Sequence, residues 1–137
     1  MAGERPGTIL QRGRAKAYRP LPVEQRREIL EDGLAAYARG DFFLAHELLE
    51  PAWMGASDPA ERDLYQGLIK LAAAFVHGVR GNPVGVQKNL RGARERLADA
   101  GAAGAEVGID AAAIMVSIDE ALQALDRGGS TPAIAVR

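Results

Sequence analysis

Residues 57–81, SDPAERDLYQGLIKLAAAFVHGVRG, decide the fold class of this chain. Ser57 or Asp58 can cap the start of a helix here, and Pro59 is tolerated in the first helical turn. The glycine at the end of the stretch is a common helix stop. Apolar side chains cover a very wide arc of the helical wheel between these signals, which is typical of a central helix that packs on several neighbours. The pattern therefore predicts a central helix over about residues 59–80.

Similar start and stop signals lie on both sides of this central stretch. They bound four more predicted helices, at about Pro22–Arg39, Phe42–Met54, Pro83–Ala98 and Ala111–Arg127. Pro51 lies inside the second of these segments, where a proline removes one helical hydrogen bond and predicts a bend. No strand pattern interrupts the series. The sequence therefore predicts an all-α fold, a single-domain bundle of about five helices that occupies residues 22–128.

The two ends of the chain differ in composition from the predicted bundle. Residues 1–20 hold five basic residues and one acidic residue, whereas the whole chain of 137 residues has a formal net charge of −1. A charged segment with few large apolar side chains predicts a disordered basic arm, residues 1–21, that contributes little to folding. Residues 129–137 follow the last helix and are predicted to form a frayed tail.

Composition also excludes several classes of protein. The chain has no cysteine, so it has no disulfide framework and no cysteine-ligated zinc. No apolar run approaches the roughly 20 residues of a membrane span, and no apolar signal segment follows the basic N-terminal residues. These features predict a cytoplasmic protein without a membrane partner.

The stretch FFLAHELLEPAW, residues 42–53, is the strongest candidate for a functional site. On a helical wheel His46 falls inside the apolar arc, Glu50 lies about 40° away and Glu47 lies at the rim. Polar groups in an apolar arc need partners, because an unpaired buried polar group costs several kcal/mol in unfavourable cases. The pattern therefore predicts that this helix draws a histidine and a carboxylate toward the interior.

A polar stripe on the central helix could complete this site. Gln66, Lys70 and His77 fall together on the wheel, opposite the apolar arc, and could face either water or a groove shared with the second helix. We expect His46 and Glu50 to form one hydrogen-bonded unit that Gln66 or His77 completes. The predicted binding set is His46, Glu47, Glu50, Trp53, Gln66, Lys70, His77 and Asn82.

Three interpretations of this set remain open. The first is a metal site for a metal-assisted hydrolase, in which His46 and Glu50 share an ion and His77 is the third ligand. Against it, the stretch HELLE lacks the second histidine of the H-E-x-x-H pattern. The second is general acid–base catalysis by His46 with Glu50 as its orienting partner. The third is a structural network that determines how two helices cross. No cofactor is predicted.

Nucleic-acid binding is a further alternative, through the basic arm and the fourth predicted helix. That helix carries Lys88, Arg91, Arg94 and Arg96 against Glu95. No aromatic residues alternate with these charges to stack on bases, and the preceding RGNPVG turn matches neither a P-loop nor a dinucleotide fingerprint. A solvated helix face explains the charges more simply, so nucleic acid is not the predicted partner.

Two segments of the chain resemble a known family. GDFFLAHELLEPAW, residues 40–53, and ERDLYQGLIKLAAAFVHGVRGNPVGVQKNL, residues 61–90, are similar to the bacterial and archaeal family named domain of unknown function 309. The resemblance covers about residues 41–97 and departs from the usual pattern at Pro51, where an acidic residue is commoner. The signature positions are Phe43, His46, Glu47, Glu50, Trp53, Gln66, Gly67, His77, Gly81, Asn82 and Gly85.

The resemblance implies an all-α bundle and no established activity. It also implies that the polar signature residues belong to one cluster. Together with the residue patterns, it predicts a small cytoplasmic binding or interaction module with a polar His/Glu site between the second and third helices. The partner, a small molecule or a protein, and the oligomeric state are not predicted.

Overall fold

The computed structural model describes residues 7–137, and these residues confirm the predicted all-α, single-domain bundle. They form the helices α1 (Val23–Ala38), α2 (Phe42–Gly55), α3 (Pro59–Val79), α4 (Pro83–Ala100) and α5 (Ala111–Asp126). A 3-10 helix, Gly101–Val107, joins α4 to α5. Among these described helices, none is both long enough and apolar enough to cross a membrane.

Helix α3 is the predicted central helix, and it packs on both α2 and α4. The carboxylate of Asp58 accepts a hydrogen bond from the backbone N–H of Glu61 (3.0 Å), and Pro59 begins the helix, as the capping signals predict. Leu64 and Leu71 are buried on its apolar face. Helix α1 packs on α2 and also reaches α3 through the ion pair of Arg26 with Glu61 (2.6 Å), and α5 packs on α4.

The N-terminal residues form a β-hairpin, so the prediction of a disordered arm is wrong for residues 8–17. Strand β1 (Thr8–Gln11) pairs antiparallel with β2 (Arg14–Ala17). The connecting residues Arg12 and Gly13 have φ angles of 54° and 74°, the left-handed conformations that a tight two-residue hairpin turn requires. The remaining part of the predicted arm that precedes Gly7 lies outside the described residues.

The C-terminal end of α2 is capped by groups that lie elsewhere in the chain. A helix end leaves its last carbonyl groups without partners inside the helix. The guanidinium of Arg62, on α3, donates hydrogen bonds to the carbonyls of Trp53 (2.9 Å) and Ala56 (3.0 Å). The backbone N–H groups of Arg19 and Leu21 donate to the carbonyls of residues 54 and 55, respectively (2.8 and 3.1 Å). The segment after the hairpin is therefore part of the folded domain.

The C-terminal tail is also folded onto the bundle, which makes the prediction of a frayed tail wrong for residues 134–137. Ile134 and Val136 are buried. The hydroxyl of Tyr37, in α1, donates a hydrogen bond to the Ile134 carbonyl (2.7 Å). Arg137 forms two hydrogen bonds with the carboxylate of Glu31 (2.6 and 2.7 Å). The tail therefore covers apolar surface of α1 that would otherwise face water.

Candidate functional site

The predicted hydrogen-bonded unit of His46 and Glu50 is not formed. The Nδ1 atom of His46 is buried and has no hydrogen-bond partner; its nearest carboxylate oxygen, on Glu47, is 3.6 Å away. The Glu50 side chain makes no hydrogen bond within the described residues. Gln66 pairs with a hairpin residue instead, and His77 pairs with the Asn82 side chain (3.0 Å).

The reason for this difference is the direction of the buried face of α2. That face is formed by Ala45, Leu49 and Ala52, whose small or slender side chains let the neighbouring helices approach closely. Phe43, an aromatic residue of the FFLAHELLEPAW stretch, is 57% exposed. The histidine and the carboxylate consequently lie half-buried at the edge of the interface rather than inside it.

The metal-ligand candidates His46, Glu50 and His77 do not come together. Within residues 7–137, no group of three or more histidine, aspartate or glutamate side chains has the arrangement of a metal site. The metal-assisted hydrolase that was built on this trio therefore lacks its ligand set in this fold. The acid–base alternative also loses its pair, because Glu50 does not orient the imidazole.

The polar residues that do come together surround Gln11, at the end of β1. Its side-chain oxygen accepts hydrogen bonds from Trp53 Nε1 (3.1 Å) and Arg62 Nε (3.3 Å). Its side-chain nitrogen donates to Asp63 Oδ1 (3.1 Å) and Gln66 Oε1 (3.0 Å). The structure thus connects two predicted site residues, Trp53 and Gln66, through a hairpin residue that sequence reasoning missed.

Charged residues extend this network onto α4. Arg96 donates a hydrogen bond to Asp63 (3.5 Å). Arg12, in the hairpin turn, pairs with Glu95 (2.7 Å) and with Asp99. Two of the cations that suggested nucleic-acid binding are therefore engaged by carboxylates of the same domain.

Lys70 is the predicted site residue with the most unusual environment. Its side chain is half-buried and crosses α4 at Gly92, where an added Cβ would lie 2.9 Å from Lys70 Cδ. It forms no hydrogen bond or ion pair within the described residues. Burial lowers the pKa of Lys70, and the nearby cations Arg96 and Lys88 lower it further.

An open cavity of about 440 Å³ adjoins Lys70 on the surface of α4. Its lining contains three cations and one carboxylate, and the carboxylate, Glu95, already pairs with Arg12. The lining residues are Lys70, Val84, Gln87, Lys88, Asn89, Arg91, Gly92 and Glu95. This part of the molecule therefore offers unpaired positive charge and amide donors to an outside ligand.

A larger cavity, of about 910 Å³, lies between α1, the start of α2 and the C-terminal tail. Its floor carries the aromatic rings of Tyr37, Phe42 and Phe75, with the latter two stacked at 5.0 Å between centroids. The Glu31 and Arg137 side chains at its rim pair with each other. The cavity has ample apolar surface but few polar groups free to orient a ligand.

These features define an all-α domain with a hydrogen-bonded network around Gln11 and a cation-lined cavity beside Lys70. Residues 30–89 match the family model described as Domain of unknown function (DUF309), which confirms the resemblance over that segment. The matched segment contains Trp53, Gln66 and Lys70 but not the hairpin.

A relative of known sequence is an uncharacterized protein of Aquifex aeolicus (strain VF5). It is 35% identical over 78 residues, which cover 55% of this chain and 23% of the relative. The matched region therefore spans less than a quarter of that relative's length. No solved structure matches the chain.

Proposed function

We propose that this chain is a small binding module that holds a phosphate-bearing small molecule over Lys70, at the junction of α3 and α4. The observation that carries the proposal is the Lys70 ammonium group itself. The Lys70 side chain is half-buried, and no carboxylate of the described residues forms an ion pair with its ammonium group. A charged group that loses part of its water without gaining a partner destabilises the fold, and a bound anion would supply the missing partner.

The surroundings of Lys70 support an anionic ligand. Lys88 and Arg91 line the same cavity, and Gln87 adds an amide donor. Arg96, Lys88 and Lys16 are near enough to disfavour the charged form of Lys70, and the opposing effect of Glu95 does not outweigh burial and these cations. Phosphate groups suit such a site because their several oxygens can accept from more than one cation at once.

Gly92 supports the idea that the position of Lys70 is built into the fold. A side chain at this position would meet the aliphatic part of Lys70, as the short distance to an added Cβ shows. The absence of a side chain lets the lysine lie flat across α4 and present its ammonium group at the cavity.

The proposal includes a cytoplasmic location, which the absence of cysteine permits.

A small ligand fits these observations better than a nucleic acid does. Nucleic-acid binding needs a stripe of free cations that follows the phosphate backbone. Here Arg12, Arg94 and Arg96 are each engaged by a carboxylate of the domain. Among the cations of α4, the two without a carboxylate partner, Lys88 and Arg91, line one cavity together with Lys70, which matches one phosphate group or two adjacent ones.

Isothermal titration calorimetry with pyrophosphate tests this proposal. We expect saturable binding to the wild-type chain and a loss of at least about tenfold in affinity for Lys70→Gln, which corresponds to about 1.4 kcal/mol. Gly92→Ala keeps every charge but displaces Lys70, so it should also weaken binding. Arg127→Gln removes the same charge at the end of α5 and should leave the affinity within about twofold.

Two outcomes would contradict the proposal. Equal weakening by Lys70→Gln and Arg127→Gln would mean that pyrophosphate responds only to net charge. Tighter binding of a single-stranded oligonucleotide than of pyrophosphate, with a steep salt dependence, would favour the nucleic-acid alternative. Far-UV circular dichroism of each variant would show that the fold is retained.

A further inference from the structure

The side chain of Gln11 has every hydrogen-bonding position of its carboxamide occupied. A primary carboxamide can accept two hydrogen bonds at its oxygen and donate two from its nitrogen. In this structure four protein groups fill those positions at 3.0–3.3 Å, and Gln11 is 5% exposed. Four protein groups arranged in this way have the geometry of a recognition site for a primary carboxamide.

The chemistry of the four partners determines which group fits. The Trp53 and Arg62 side chains can only donate, so they require an acceptor at the oxygen position. The ionised carboxylate of Asp63 can only accept, so it requires a donor at the nitrogen position. A carboxylate ligand would bring its own oxygen against Asp63 and be repelled, and a hydroxyl ligand would leave some of the partners unpaired.

Two of the partners, Arg62 and Asp63, also have contacts outside the hairpin, besides the bond of Arg62 to the Ala17 carbonyl of β2. Arg62 is anchored by the carbonyls of Trp53 and Ala56, and its guanidinium carbon lies 4.8 Å from the centre of the Trp53 ring. Asp63 receives a hydrogen bond from Arg96. All four partners lie on α2 and α3, within the segment that matches the family model, and Gln11 lies outside that segment.

The hairpin that supplies Gln11 has the features of a removable element. Its strands are four residues long, and an isolated two-stranded hairpin is only marginally stable in water. Leu10 is 43% exposed, so the hairpin covers little apolar surface at that position. Its turn is attached by exposed ion pairs of Arg12, which salt weakens.

We propose that Trp53, Arg62, Asp63 and Gln66 form a carboxamide-binding site that the chain fills with its own Gln11. The hairpin is then a tethered occupant, and the site accepts a primary carboxamide from another molecule when Gln11 is absent. This inference is distinct from the anion site, because none of the four partners of Gln11 lines the Lys70 cavity.

Chemical rescue of Gln11→Ala tests the inference. The substitution removes a fragment that corresponds to acetamide, which is small enough to enter the vacated space. Acetamide at up to several hundred millimolar should raise the thermal unfolding midpoint of Gln11→Ala by more than it raises the midpoint of the wild-type chain. Sodium acetate, which has a similar shape but no N–H donors, should produce no such difference.

The same shift with acetamide for both proteins, or an equal rescue by acetate, would overturn the inference.

A second measurement applies if Gln11→Ala does not fold. In the wild-type chain, NMR should show two resolved side-chain amide protons of Gln11 that exchange with water far more slowly than those of Gln25, an exposed glutamine on α1. Exchange of the Gln11 protons at the Gln25 rate would mean that the site does not hold the amide.

Discussion

Replacement of Arg62 by methionine should destabilise the domain more than any other single removal of charge. Arg62 is completely buried and donates four hydrogen bonds. Two of the acceptors, the Gln11 side chain and the Ala56 carbonyl, are in buried bonds, so water cannot replace the lost donor. The other two, the carbonyls of Trp53 and Ala17, are partly buried and can recruit water.

The magnitude follows from these four bonds. The buried Ala56 carbonyl is left without its donor, which costs about 1–3 kcal/mol; the Gln11 oxygen keeps its bond from Trp53 and loses one hydrogen bond to a charged group, worth about 1.5–3 kcal/mol. Burial lowers the pKa of Arg62, so its charge is itself disfavoured, and removal of that charge returns part of the loss. We therefore expect Arg62→Met to lower the free energy of unfolding by about 2–4 kcal/mol, against a total of about 5–15 kcal/mol for a domain of this kind.

Urea unfolding, followed by circular dichroism, measures this loss directly. Arg62→Lys keeps the charge but cannot reach all four acceptors, so it should fall between methionine and wild type. Arg80→Met removes an exposed arginine at the end of α3 and should change the stability by less than about 0.5 kcal/mol. An Arg62→Met variant as stable as wild type would refute the capping role, and would mean that apolar packing replaces the network without loss.

Other perturbations have equally specific outcomes. Lys70→Gln should raise the thermal midpoint even as it removes anion binding, because an unpaired half-buried charge is lost; a lower midpoint would contradict the anion site. Tyr37→Phe should cost about 1–2 kcal/mol in urea unfolding, because the Ile134 carbonyl loses its donor; an unchanged stability would mean that the tail is not held there. Burial alone raises the pKa of Glu61, but hydrogen bonds from Arg26 and Tyr65 outweigh it and lower that pKa below its usual 4.5. The stability that these hydrogen bonds to ionised Glu61 supply is therefore present above pH 4.5 and declines as the pH falls below it. Glu61→Gln should make the free energy of unfolding decline less steeply in acid.

The helices could be predicted because their end signals are local. Asp41 and Asp58 each cap a helix through a backbone N–H three residues ahead, directly before the predicted second and central helices. Gly40 and Gly81 adopt positive φ angles (82° and 69°) at the turns where the sequence predicts helix stops. Such features depend on neighbouring residues alone, so a helical wheel and a list of caps are sufficient.

The hairpin could not be predicted in this way because its stability depends on distant residues. Strand β2 reads Arg-Ala-Lys-Ala and has no β-branched or aromatic side chain. The one local signal is the glycine at position 13, which completes the two-residue turn. Gln11 acquires its role only from partners about fifty positions away, on α2 and α3.

Part of the candidate site could also be predicted from the sequence, and the rest could not because it depends on how closely the helices pack. The polar stripe of the central helix predicts Gln66 and Lys70, the FFLAHELLEPAW stretch predicts Trp53, and the structure gives each of them a distinctive environment. His46 and Glu50 were placed in the core-facing arc because the wheel gives weight to large aromatic neighbours. The real contact face consists of alanines and Leu49, and periodicity alone does not show that small residues define the closest approach.

The pKa of Lys70 is the most direct test of the proposed anion site. It can be measured from the side-chain carbon shifts of Lys70 in an NMR titration of the wild-type chain, with and without inorganic phosphate. We expect a pKa below the usual 10.5 in the free chain, because burial and neighbouring cations disfavour the charged form, and a rise toward or above that value when phosphate binds. An ordinary pKa that phosphate leaves unchanged would contradict the account.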